Sequence, residues 1–150
     1  LNLCMIDTEG RDHANVSQET FLQVWFGSEP YQRHTAKLEG LEGFSKDLKT
    51  LCNEVAKAFD HDGSVSIHLF KAHKQSVSFN THRDPVDLLL VVLDGVKTMV
   101  VSSKDHESGT SRITYNELGK GQCLFLPKNT PHQAVNTNAS IMLSIGLESD

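Results

Sequence analysis

Cysteine is scarce and unpatterned in this chain: Cys4, Cys52 and Cys123 are all there is. An odd number without a repeated spacing argues against a disulfide framework, and reduced thiols in a cytoplasmic protein are the expectation. Long apolar runs are missing too. None approaches the ~20 residues a bilayer-spanning helix needs, and the opening LNLCMIDTEGRD has neither the basic start nor the small-residue cleavage site of a secretory signal. Nor is there a basic excess. With 14 Lys and Arg against 19 Asp and Glu, the net charge of −5 argues against nucleic acid or an anionic membrane surface as partner. No internal repeat or low-complexity linker interrupts the 150 residues, so one domain, 1–150, is expected.

What is present divides by texture. Residues 1–62 read as a helical N-terminal part. SQETFLQVWF offers Ser17 as an N-cap, Glu19 in the first turn, and Phe21, Leu22 and Trp25 on one side. A second helix is predicted at about 45 to 60, capped by Ser45, with Leu48, Leu51, Cys52, Val55 and Phe59 along one stripe. From Ser64 onward come short apolar or alternating runs: SVSIHLF, QSVSF, VDLLLVVL, VKTMVVS, SRITY, GQCLFLP, PHQAV and ASIMLSIGL. Asp94-Gly95, Ser108-Gly109, Gly119 to Gly121, PKNTP and NTN punctuate them. Eight short strands without helices between them predict a mainly β, closed unit over 63–148, a sandwich, barrel or jelly roll, with the two helices packed outside.

The residues that could carry chemistry start with His82 and Asp84. Two apart on an extended segment, both project to one side and can offer a nitrogen and a carboxylate oxygen to one ion. Alone, the triplet reads better as a solvated turn. His132, in GQCLFLPKNTPHQAVN, is the candidate third ligand, although a hairpin with a solvent-facing histidine fits that segment as well. The segment also fits the second cupin motif, through Gly121, Pro127, Asn129, His132 and Asn136, with Asn129 in a glycine place where a left-handed turn tolerates asparagine. Residues 82–95 keep the spacing of the first cupin motif, with Asp84 in place of a histidine, Leu88 in place of the glutamate ligand, and Gly95. Two histidines and one carboxylate leave about three positions open on an octahedral ion, the set expected of non-haem Fe(II) oxygenases. A structural zinc site would instead close with four ligands, usually including cysteine.

With HRDPVDLLLVVLDGVK and GQCLFLPKNTPH in that order, the chain resembles the JmjC and ribosomal-oxygenase-like branch of the cupin superfamily over roughly residues 64–147. The resemblance implies a double-stranded β-helix (jelly roll), a metal held by His82, Asp84 and His132, and use of Fe(II), O2 and 2-oxoglutarate. It also implies that Lys97, fifteen residues after His82, binds the distal carboxylate of 2-oxoglutarate. Alternation places Lys97 with Met99 and Val101. If that face is buried, the ammonium needs an anionic partner, while a solvated lysine beside the Asp94-Gly95 turn is the alternative. A straight strand would carry Lys97 far from Asp84, so the site requires a curled sheet.

Departures from the family are specific. Phe79 stands where a threonine hydroxyl is common, Thr98 and Met99 where an aromatic is common, and Leu88 where an asparagine often sits. The pocket must therefore be lined differently, with Ser66, His68, Asn80 and Ser144 as candidates. Ser144 is the one assigned to the co-substrate, because SIMLSIG alternates small with large residues. His13, His34, His61, His73 and His106 are expected to be solvated, and Asp60-His61-Asp62 to be a helix end.

The function expected is hydroxylation of a peptide side chain or small molecule, and the chain lacks the added domains that some ribosomal oxygenases use for dimerisation, although the resemblance leaves room for a homodimer. Two other functions stay open: a cupin enzyme that uses the metal without 2-oxoglutarate, which would not need Lys97, and a non-catalytic cupin that only binds a ligand. Fold alone does not choose between them.

Overall fold

A computed structural model describes residues 1–104 and 107–149. It contains β1 (Asn2–Ile6), β2 (Asp12–His13), α1 (Gln18–Trp25), β3 (Thr35–Glu39), α2 (Lys46–Ala58), β4 (Val65–Ala72), β5 (Asp87–Lys104), β6 (Ser111–Gly119), β7 (Cys123–Leu126), β8 (His132–Val135) and β9 (Ser140–Leu147). The chain is thus mainly β with two α-helices. Among the described residues no helix is long and apolar enough to cross a membrane. His106 lies outside the described residues.

Every strand pairing is antiparallel. β2, β1, β3, β4, β9 and β5 lie side by side in that order. The first half of β5 is flanked by β9 and β7, and its second half by β6 and β8. One strand therefore belongs to both layers.

The sheet made by β1, β3, β4, β9 and the first half of β5 has two distinct faces. One face carries the helices. Phe21 and Val24 of α1 pack on Ala36 with Leu3, Met5 and Leu38 beside them. Cys52 and Val55 of α2 pack on Ile67, Leu143, Ile145 and Leu147. Each side chain of this size taken fully out of water contributes about 2 kcal/mol, which is what docks helices this short. The opposite face looks across a cavity towards the second half of β5, and Leu88, Leu90, Val92, Met99, Val101 and Met142 join the two layers there.

Both helices start where the serines predict. Ser17 Oγ accepts from the Thr20 amide at 3.1 Å and Ser45 Oγ from the Leu48 amide at 3.2 Å. The buried stripe of α1 differs from expectation: Phe21 and Val24 face inward and Leu22 is exposed, because i and i+3 share a face whereas i and i+1 do not. Phe59 lies just beyond α2 and stacks on Phe125 with ring centroids 5.3 Å apart.

Three further differences matter for the site. The N-terminal part contributes β1, β2 and β3 besides its helices. QSVSF forms no strand: Gln75 is left-handed, at φ 66°, and the Gln75 and Val77 amides donate to the carbonyls of Asn136 and Arg33. VDLLLVVL and VKTMVVS are one continuous 18-residue strand rather than two. Its register slips between Val92 and Asp94, and this bulge changes which side faces in. Even-numbered Leu88, Leu90 and Val92 are buried before it, and odd-numbered Lys97, Met99 and Val101 after it. Gly95 sits in the bend at φ +73°, where an added Cβ would collide with the Ala139 carbonyl.

Candidate metal centre

His82, Asp84 and His132 come together at the mouth of a cavity of about 320 Å³. One ligand-capable atom from each lies within 4.8 Å of the others. Asp84 Oδ2 is 3.2 Å from His132 Nε2 and 3.5 Å from His82 Nε2. His132 is buried, whereas His82 and Asp84 are half-buried, so the group opens on one side only.

The backbone that holds them is fixed locally. His82 and His132 form an antiparallel bridge, and the Asn129 amide donates to the Asp84 carbonyl at 2.7 Å. Asn129 takes the left-handed conformation, φ 63°, that its place in a glycine position demands. Each imidazole is then oriented by a carbonyl two residues earlier. His82 Nδ1 is 2.8 Å from the Asn80 oxygen and His132 Nδ1 is 2.9 Å from the Thr130 oxygen. A carbonyl only accepts, so Nδ1 carries a proton on each ring, and Nε2, the atom turned towards Asp84, is the one left to take an ion in exchange for its own proton.

In the metal-free protein that arrangement couples the groups. Burial alone would lower the His132 pKa, but the bonds to Asp84 and the Thr130 carbonyl outweigh it and hold it above the usual range. The hydrogen bond from His132 in turn holds the Asp84 carboxyl below its usual range, against the opposing effect of burial. His132 is thus suited to exchange an Nε2 proton for a cation. A hard or borderline divalent ion with octahedral preference fits two imidazoles and one carboxylate, and Leu88, buried in the cavity wall, offers it no fourth donor.

Lys97 lines the same cavity and is 1% exposed. Its Nζ donates to Asn136 Oδ1 at 2.8 Å, and no carboxylate pairs with it among the described residues. Burial pushes its pKa from 10.5 down to about 8. Ser144 lines the cavity from β9, directly across the strand pairs from His68 and Leu90. Ser66 and His68 line it as well, and Phe79 packs edge-on against His82 with ring centroids 5.4 Å apart. Asn80 is exposed and serves through its carbonyl alone.

One wall was not legible beforehand. Lys37, 6% exposed, reaches Asp12 at 2.8 Å and Glu39 at 3.4 Å, while its Nζ lies 5.1 Å from the Phe79 ring centre. Burial alone would lower the Lys37 pKa, but the bond to Asp12 and the two carboxylates raise it, so the ion pair stays charged. Three of the histidines expected in solvent are partly buried instead: His73 Nε2 bonds the Val24 carbonyl at 3.0 Å, His61 Nε2 lies 3.0 Å from the Ser64 carbonyl, and burial pushes the His34 pKa down.

An antiparallel β fold with three potential metal donors at its cavity defines the class: a β-domain of cupin type. The chain belongs to the JmjC domain family, whose model matches residues 42–150. Among solved structures it is similar to YcfD, a ribosomal oxygenase from Escherichia coli, with a TM-score of 0.68 and 14% identity over 99% of this chain and 40% of that one. The same protein in complex with cobalt and 2-oxoglutarate gives 0.68 and 13% identity over the same shares, and in complex with cobalt and succinic acid 0.68 and 14%. The chain thus spans about two fifths of that protein, and at this identity the likeness is one of fold. Comparison with curated proteins gives no significant match.

Proposed function

We propose that this chain is an Fe(II)- and 2-oxoglutarate-dependent oxygenase that hydroxylates a peptide side chain or a small molecule. The observation that carries the reading is the pairing, within one cavity, of an open His82–Asp84–His132 donor set with a buried cation that has no carboxylate partner among the described residues. A dianion that chelates at one end and is neutralised at the other fits both. On this reading β5 and its partners are the two layers of a double-stranded β-helix, with α1 and α2 outside it.

Iron with 2-oxoglutarate bound supplies O2 activation, oxidising the co-substrate to succinate and CO2 and placing one oxygen atom on the substrate. The protein's own groups do the rest. His82, Asp84 and His132 hold the ion from one face. Leu88, Leu90 and Met142 keep the interior apolar and dry, which strengthens the charge interactions made there. Lys97 neutralises the far carboxylate, and Ser144 offers a hydroxyl from the β9 wall. Phe79 fixes the His82 ring from outside. The likeness to YcfD with cobalt and 2-oxoglutarate supports the same chemistry without naming a substrate.

Anaerobic addition of Fe(II) and 2-oxoglutarate to metal-stripped protein tests the reading. A weak visible charge-transfer band is expected, and His132→Ala should abolish it. A wild-type protein that binds zinc tightly but gives no band with iron and 2-oxoglutarate would sink the proposal.

A further inference from the structure

Lys97, Asn136 and Ser78 form one directed chain of hydrogen bonds beside the cavity. Lys97 Nζ donates to Asn136 Oδ1 at 2.8 Å. Asn136 Nδ2 has two partners, the Ser76 carbonyl at 2.9 Å and Ser78 Oγ at 2.7 Å. The amide has only this orientation: turned over, it would set its NH2 against an ammonium and its oxygen against a carbonyl. Nδ2 is therefore the donor and Ser78 Oγ the acceptor, so the Ser78 proton is free to point elsewhere. Among the described residues no acceptor takes it, and Ser78 lines the cavity. Lys97 also keeps N–H groups beyond the one given to Asn136. Two donors, held one amide apart and facing one space, complement a carboxylate, which only accepts.

We propose that the Ser78 hydroxyl joins Lys97 in binding the distal carboxylate of 2-oxoglutarate, and that Asn136 is the positioning residue that sets both. This rests on the co-substrate reading above. Asn136 is 5% exposed and all its hydrogen-bonding capacity towards Lys97, Ser76 and Ser78 is engaged, so it acts through its neighbours rather than on the ligand. Ser144 stands elsewhere on the wall, paired across strands with His68, and does not substitute for Ser78.

The test is anaerobic calorimetry on the full manganese-loaded chain with two ligands. 2-Oxoglutarate carries the distal carboxylate, whereas 2-oxobutyrate has the same chelating end without it. Ser78→Ala should weaken 2-oxoglutarate by about tenfold or more, as expected for one hydrogen bond to a charged group, and leave manganese and 2-oxobutyrate unchanged. Ser78→Thr should restore binding. Asn136→Asp gives Lys97 an internal carboxylate and removes the donor that orients Ser78, so it should weaken 2-oxoglutarate more than 2-oxobutyrate. An unchanged 2-oxoglutarate affinity in Ser78→Ala, or an equal loss for both ligands, would overturn the assignment while leaving the co-substrate reading intact. A wild-type protein that takes up manganese but no 2-oxoglutarate would overturn both.

Discussion

The backbones of His82 and His132 hold each other, the His82 amide donating to the His132 carbonyl at 3.1 Å and the His132 amide to the His82 carbonyl at 2.9 Å. With both Nδ1 atoms also committed to carbonyls, the donor set is assembled by the fold and not by the ion. Stripping metal with a chelator should therefore leave the far-ultraviolet circular dichroism unchanged, and added manganese should raise the melting temperature only as the logarithm of its concentration once that exceeds Kd. Collapse of the β signal on metal removal would contradict a preformed site.

Leu88 occupies the place from which a fourth ligand would reach the metal. Leu88→Glu should tighten manganese binding by about tenfold or more and block 2-oxoglutarate, because the open positions become occupied. The metal-free variant should be less stable by about 3 kcal/mol, since it buries a carboxylate without a partner, and metal should restore the loss. Calorimetry and chemical denaturation, with and without manganese, read both effects.

Lys97 has a pKa of about 8 in the fold against 10.5 when solvated, so the folded state gives up its proton first. Below pH 8 both states carry the proton and the full cost of burying it, about 3 kcal/mol, is present. That cost is relieved as pH rises from 8 to 10.5. Lys97→Met removes it but leaves Asn136 Oδ1 without a donor, so the metal-free variant should gain about 1 kcal/mol at neutral pH, and less at pH 10. For the wild type, 2-oxoglutarate affinity should be flat below pH 8 and fall about tenfold per pH unit above it. Lys97→Arg, charged throughout, should show no such slope.

Gly95 is where β5 turns from one layer to the other. Gly95→Ala needs an unfavourable φ and drives a methyl group into the Ala139 carbonyl, so a loss of more than about 2 kcal/mol is expected. Chemical denaturation measures it. Gly109→Ala is the control: it also has positive φ, +71°, but no atom within 4 Å of an added Cβ, so its loss should be the smaller.

The donor set could be read from the chain because its members stand at short, fixed intervals on two segments, and Lys97 because its distance from His82 is counted along one of them. Among the first-third strands, β3 was hidden by charge. In TAKLE, Lys37 and Glu39 face the cavity and neutralise each other with Asp12, so the inward side of β3 looks polar in sequence. QSVSF misled for the opposite reason, since its alternation is real but its amides pair with loops. Ser78 was overlooked because only the amide of Asn136, 58 residues away, gives its hydroxyl a direction. In the sequence, Asn136 is merely the end of a motif.

The slip in β5 acts as a parity switch on a ruler. His82 and Asp84 lead directly into this strand and Lys97 rides on it past the bend, so the span from the first two donors to the cation is counted along one length of covalent chain. Removing Val96, beyond the bulge, would do more than shorten that span: it would turn Lys97, Met99 and Val101 out to solvent and bring Thr98 and Val100 in. On the co-substrate reading, selectivity for a dicarboxylate of one length would follow from the residue count along this stretch, where it cannot drift gradually.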